Sequence, residues 1–166
     1  MAVQLRTYEP SDFDKLYALD HLCFPPGIAY SKRMLAHFLR MPKARCIIAV
    51  EVEVAVEVAA IAAFIITEED PPLGHILTLD VAESHRRRGI GTLLIARGER
   101  ELSSRGVTEV VLETGVANEP GVAFWQRHGY RTVAVLKRYY LGRLDAYEMR
   151  KILPGVANAK PAQKET

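Results

Sequence analysis

Apolar residues recur along the chain at two spacings, every second position or every third and fourth, and the switches between them divide it into strands and helices. Val3 to Arg6 has the alternation of a short first strand. Ser11 suits the N-cap of a helix carrying Phe13, Leu16, Leu19 and Leu22 on one face, which Pro25 and Pro26 end. A second helix begins after Ser31, with Met34, Leu35, Phe38 and Leu39 as its apolar positions. Cys46 to Val50 and Val58 to Ile66 are rich in β-branched residues and read as strands, although the segment joining them has no Gly, Pro, Asn or Asp to locate the turn.

The second half is better punctuated. A strand from Ile76 to Val81 leads into a loop containing Gly89 and Gly91, and the helix from Ile90 carries Leu93, Leu94, Gly98 and Leu102 on one face before Gly106 caps it. A strand from Thr108 to Glu113, a short helix around Gly121 to His128 stopped by Gly129, and strands at Tyr130 to Leu136 and Ala146 to Leu153 complete the series. The order predicts an α/β fold, a mixed sheet covered on both faces, in one domain over residues 1–153. The tail from Pro154 to Thr166 is polar, carries two prolines and reads as disordered.

Composition narrows the class. With 166 residues, 49% of them hydrophobic and 25% charged, the chain can bury a sizeable core as one domain. A net charge of +2 gives no argument for nucleic acid, and no apolar run reaches the length of a membrane span. No signal-peptide pattern opens the chain, so a cytoplasmic location is expected, with Cys23 and Cys46 as reduced thiols. The five histidines lack HExxH or other ligand spacing, which predicts no metal. Without GxSxG, or a base beside either cysteine, covalent catalysis is not expected.

The most informative stretch is ILTLDVAESHRRRGIGT, from Ile76 to Thr92. A strand stops at a basic turn, and two glycines able to adopt positive φ open a helix whose unpaired N–H groups and positive dipole end suit an anion. Arg86, Arg87 and Arg88 add charge, so a phosphorylated ligand is implied. A P-loop would need GxxxxGK and then Ser or Thr, and a dinucleotide fingerprint a third small residue where Leu94 stands. What remains is Arg86-x-x-Gly89-x-Gly91, a pattern that a plain structural turn also satisfies.

That stretch, followed by VVLETGVANEPGVAFWQRHGY, KRYY and a last strand with Glu148 and Met149, resembles the GNAT superfamily of acyl-CoA-dependent N-acetyltransferases, most closely its ribosomal-protein alanine N-acetyltransferases. The N-terminal half is similar more loosely, through Cys23-Phe24-Pro25-Pro26 and Tyr30-Ser31. The resemblance implies the GNAT fold and acetyl-CoA as cosubstrate, its pyrophosphate on the loop Arg86, Arg87, Arg88, Gly89, Ile90, Gly91 and Thr92. Its pantetheine arm would lie along the backbone of Leu79, Asp80 and Val81, an edge that can satisfy the arm's amides like an added strand. Asn118 would bind the same arm, although it suits a helix N-cap equally well.

By the same resemblance Glu113 is the general base, directly or through a water. An N-terminal amine, with a reference pKa of about 7.7 to 8.0, makes that a lighter task than lysine at about 10.4. Tyr139 and Tyr140 would line the acceptor groove opposite Phe24, Pro25 and Tyr30, although paired tyrosines also serve as packing residues. The chain departs from the family at the general acid, where Trp125 replaces the tyrosine and leaves Tyr139, Tyr140 or water to protonate the thiolate. Trp125 is then expected to pack against the cofactor. A second departure is Gly115, which replaces an arginine. The resulting expectation is direct transfer of acetyl to a protein or peptide N-terminal amine by a monomer or homodimer, with no nucleic-acid or membrane partner. A small-molecule amine acetyltransferase with a closed acceptor pocket, and a non-catalytic acyl-CoA-binding module, are the alternatives.

Overall fold

The computed structural model describes residues 2–52 and 60–155. In chain order the elements are β1 (Ala2–Thr7), α1 (Phe13–Cys23), α2 (Lys32–Arg40), β2 (Ala44–Val52), β3 (Ala60–Asp70), β4 (Leu73–Val81), α3 (Ile90–Ser104), β5 (Glu109–Gly115), α4 (Glu119–Arg127), β6 (Arg131–Tyr140) and β7 (Leu144–Ile152). Among the described residues the strands form one mixed sheet in the order β1-β2-β3-β4-β5-β7-β6. The expected segment between β2 and β3, Val58 included, lies outside the described residues, as does the tail beyond Gly155.

The pairing of β4 with β5 positions the site. It is the parallel pair in an otherwise antiparallel sheet, and it matches only Leu73, Gly74 and His75 with Glu109, Val110 and Val111. Beyond His75 the two strands run on to Val81 and Gly115 without pairing to each other, so the sheet forks. A bulge on β4 sits at the same level: Ile76 faces Thr67 and Thr78 faces Ile66, leaving Leu77 without a register partner. Its carbonyl instead accepts from the Tyr30 hydroxyl at 2.8 Å, tying the segment after α1 to the sheet.

Each sheet face has its own core. Ile65, Ile76, Leu94, Ile95, Leu102, Leu112 and Trp125 pack on the α3 and α4 side, and Leu16, Leu19, Leu35, Ile48, Phe64 and Ile66 on the α1 and α2 side. The helix faces differ from expectation in three places, one of them Met34 of α2, which is 47% exposed. Leu22 is 82% exposed, because the buried stripe of α1 runs through Leu16, Leu19 and Asp20, a polar residue that hydrophobic spacing passes over. Leu93 is half exposed, and Ile95 takes its place beside Leu94, Gly98 and Leu102.

Ser11 does not cap α1. A 3-10 turn at Pro10–Asp12 precedes the helix, Asp12 Oδ2 accepts from Glu9 N at 2.9 Å, and Arg6 pairs with Asp12 at 2.7 Å. Ser31 caps α2 as expected, accepting from Met34 N at 3.2 Å. The strands outrun their sequence bounds, with β5 continuing past Glu113 to Gly115 and β6 past Leu136 to Tyr140.

Candidate active site

The loop from β4 to α3 lies on one side of the fork. Gly89 is the N-cap of α3 at φ 79°, and a Cβ there would meet nothing within 4 Å, so glycine is required by conformation rather than by room. The N–H groups of Ile90, Gly91 and Thr92 precede the first donor of the helical ladder, Leu93 N, which bonds to Gly89 O at 3.1 Å, and Gly89 has no side chain to cap them. Open space before uncapped donors is what an anionic group needs, and a pyrophosphate fits it. Gly91, expected to share the positive φ, does not have it; it is buried against Phe124, whose ring would lie 3.0 Å from a Cβ. Arg87 is the second left-handed residue of the loop, at φ 60°.

The three arginines divide their work. Arg86 Nε donates to the Val81 carbonyl at 3.0 Å, an oxygen also approached by Cys23 Sγ at 3.5 Å, which removes it from the free edge of β4. Arg88 pairs with Glu51 at 3.1 Å, and His85 meets the same carboxylate at 2.7 Å. Among the described residues Arg87 makes no side-chain hydrogen bond or ion pair, unlike Arg86 and Arg88. Ile90 is buried, and the Thr92 hydroxyl meets His128 Nε2 at 2.9 Å, so both face the open space mainly through backbone.

Two residues expected at the cofactor have structural work. Asn118 Oδ1 accepts from Gly121 N at 3.2 Å as the N-cap of α4, leaving only its amide nitrogen free. Trp125 is 8% exposed and packs edge-on against Phe124 and Tyr130, with ring centroids 5.2 and 5.3 Å apart. It is a core residue.

Glu113 lies within the fork, and the residue that meets it was not foreseen: His75 Nε2 is 2.6 Å from Glu113 Oε2. Both side chains are partly exposed, at 31% and 18%. A lone histidine at a strand start carries no signal in the sequence, because its partner lies 38 residues away. On β6, Tyr139 and Tyr140 pack perpendicular at 88°. Burial pushes the Tyr140 hydroxyl up to about 12, with the charges of Tyr139 and Glu113 adding to the effect, so it remains a proton donor. Tyr139 is raised for the same first reason.

The opposite wall comes from the segment after α1. Phe24 is half-buried, Pro25 is exposed, and Tyr30 is anchored through its hydroxyl to Leu77 and through its N–H to Asp20 Oδ2 at 2.6 Å. Burial raises the Tyr30 phenol, with Asp80 and Asp20 adding. A side chain at Gly27 would run into Leu141, so this segment reaches the β6–β7 turn and closes one end of the wall.

Beneath Tyr30 lies a second unforeseen pair. Asp20 and Asp80 are each 1% exposed, Thr78 donates to Asp80 Oδ1 at 2.5 Å, and Asp20 Oδ1 and Asp80 Oδ2 have no hydrogen-bond partner among the described residues. Burial pushes Asp80 well above the carboxylate range, and the charge of Asp20 adds to it, so Asp80 favours its protonated form. A charged residue inside the apolar run ILTLDV was the one clue to this pair.

Comparison with known proteins agrees with this geometry. The model of the acetyltransferase (GNAT) family matches residues 13–130. An N-alpha-acetyltransferase of Saccharolobus solfataricus is 35% identical over 81 residues, 48% of this chain and 48% of that protein. The chain thus aligns with about half the length of such curated relatives. In fold, the ribosomal-protein-S18-alanine N-acetyltransferase from Escherichia coli superposes with TM-score 0.78 at 20% identity, covering 94% of this chain and 98% of that one. Arabidopsis thaliana NAA60, solved in complex with acetyl-CoA, gives 0.81 at 22% identity over 93% and 100%. With the family model spanning most of the chain, from α1 through the forked strands to the end of α4, the protein belongs to the acetyltransferase (GNAT) family.

Proposed function

We propose that the chain is an acetyl-CoA-dependent N-acetyltransferase acting on the α-amine of a protein or peptide N-terminus. One observation carries the reading: Glu113 stands at the fork between an anion-accepting helix start and a wall of tyrosines. Relatives named N-alpha-acetyltransferase support the acceptor class. The free thiols Cys23 and Cys46 fit a reducing, cytoplasmic compartment.

When bound, acetyl-CoA supplies the activated acetyl group. The N–H groups of Ile90, Gly91 and Thr92, with Arg87, hold its pyrophosphate, while Leu79, Asp80 and the amide nitrogen of Asn118 hold its arm. Phe24, Pro25, Tyr30, Tyr139 and Tyr140 orient the acceptor, whose ammonium gives a proton to Glu113 as the amine becomes a nucleophile. Trp125 lies in the core, so Tyr140, with its protonated phenol, is the donor at hand for the departing thiolate.

Mass spectrometry of two peptides incubated with acetyl-CoA tests the reading, one offering a free Ala, Ser or Met α-amine and the other only an internal lysine. Acetyl gain on the first alone supports it. Gain on the lysine alone or on neither overturns it, and a direct acetyl-CoA titration then separates a different acceptor from a non-catalytic binder.

A further inference from the structure

We propose that Asp145 is a positioning residue for the acceptor groove: its carboxylate holds the Arg138 N–H, and this fixes the bulge of β6 that turns Tyr139 and Tyr140 to one side. The inference rests on the acetyltransferase reading above. Three observations carry it. The pairing of β6 with β7 jumps from Leu136 opposite Ala146 to Tyr140 opposite Leu144, so Asp145 alone spans Lys137, Arg138 and Tyr139. Arg138 stands at φ 55°, a left-handed backbone that a non-glycine residue keeps only where its surroundings hold it there. The Asp145 side chain supplies that hold: Oδ1 accepts from Arg138 N at 2.9 Å, and Oδ2 pairs with Lys137 Nζ at 2.9 Å.

The bulge decides where the tyrosines after it point. In a regular strand consecutive side chains stand on opposite faces, which would part the two rings. Here their centroids are 4.9 Å apart. The charge of Glu113 acts on both phenols, so both rings lie on the side of the proposed base. A Cβ at Gly115 would be 3.9 Å from the Tyr140 ring, which therefore rests over this glycine. The Asp145 backbone is anchored as well, its carbonyl accepting from Val116 N at 3.1 Å, just beyond the end of β5. The clamp thus ties the tyrosine pair to the strand that carries Glu113.

Of the two carboxylate contacts, the one to the backbone does the positioning. Lys137 is 78% exposed, and an ion pair so open to water contributes little. The Arg138 N–H is first among the groups that hold the Asp145 carboxyl below its ordinary range, so Asp145 is the anion at neutral pH. Without an acceptor, Arg138 relaxes toward negative φ and the two rings separate, while Glu113 and the helix start at Gly89 stay where they are.

The test separates the acceptor from the charge. Asp145→Asn keeps an oxygen for the Arg138 N–H and loses the ion pair, whereas Asp145→Leu has a similar shape and loses both. Peptide acetylation, an acetyl-CoA titration and the melting temperature are measured for each. Asp145→Leu is expected to raise the peptide KM about fivefold or more, the factor to which one hydrogen bond converts, with acetyl-CoA affinity unchanged. Asp145→Asn is expected to restore the wild-type KM. A wild-type KM in Asp145→Leu overturns the inference and leaves the acetyltransferase reading intact. A KM raised as far by Asp145→Asn also overturns it, because the ion pair is then the working contact. An inactive wild type overturns both. If Asp145→Leu melts early, Asp145→Glu decides, since it keeps the charge and displaces the acceptor by one methylene: a raised KM supports the role, and a wild-type KM overturns it.

Discussion

The two faces of the sheet are built differently. On the α3 and α4 side the core is almost wholly apolar, and glycines bring helix and sheet close: Gly98 lies against Ile65 and Thr67, Gly91 against Phe124. On the α1 and α2 side the apolar cluster around Leu16, Phe64 and Ile66 gives way, toward the fork, to Asp20, Asp80, Tyr30, His75 and Glu113. A dry, close-packed face holds a helix start rigidly for an anion; a face with ionisable groups can move a proton. The second costs stability, since each buried polar atom needs a partner. Here most of the partners are supplied from distant segments.

The largest expected effect tests the polar face. Glu113→Gln keeps the shape of the side chain and loses the base, so kcat should fall by about 10² to 10⁴. Acetyl-CoA affinity, which the proposed function assigns to the other face, should not change in a binding titration. If kcat is retained, Glu113 is not the base; if affinity falls as far as kcat, the two faces are not independent.

The apolar face gives the next test, by separating its two loop glycines. Valine at Gly89 must enter the left-handed region at φ 79° but clashes with nothing, so local backbone is displaced where the donors point, and acetyl-CoA affinity should drop by about tenfold or more. Valine at Gly91 is forced against Phe124 instead, an overpacking that typically costs about 1 to 3 kcal/mol, read as a lower melting temperature. Equal effects from the two substitutions would mean that the loop has one function rather than two.

The faces also differed in how much of them the sequence disclosed. The strand, glycine loop and amphipathic helix are contiguous, and local rules carry them: a positive-φ glycine before a helix and a stripe of apolar residues. The conformational role of Gly91 was misread because its reason is Phe124, 33 residues on and invisible to local spacing. The polar face depends on meetings across the chain: His75 with Glu113, Tyr30 with Leu77, Asp20 with Asp80. Residue type proposed Glu113 and the tyrosines only through family likeness. Nothing local could propose His75 or Asp20, since their roles exist only once β4 has bulged and parted from β5.

An effect on stability of about the same size as that of Gly91→Val is expected at Tyr30. Removing its hydroxyl in Tyr30→Phe leaves the Leu77 carbonyl at the bulge without its donor, a loss of about 1 to 3 kcal/mol measured by urea unfolding. Because Tyr30 also lines the acceptor wall, KM for the peptide should rise while acetyl-CoA affinity holds. Unchanged KM would remove Tyr30 from that wall and leave it a structural strut.

The smallest effect, and the one with an unusual sign, concerns Asp80. Its folded pKa lies well above the value of 3.8 it has when unfolded, because burial and Asp20 both disfavour its charge. The folded chain therefore keeps a proton that the unfolded chain releases at neutral pH; the stabilisation is complete below the unfolded value and fades as pH rises through the folded one. Asparagine can donate to Asp20 through its amide and accept from Thr78 through its oxygen, with no proton to hold. Asp80→Asn should thus be more stable than wild type by on the order of 1 kcal/mol at about pH 8 and gain nothing at about pH 4, in urea unfolding at the two pH values. Peptide acetylation should survive, since Tyr30 keeps its anchor on Asp20. A loss of activity with stability gained would mean that Asp80's proton takes part in turnover, and the polar face would then hold two working acids rather than one working base above a structural pair.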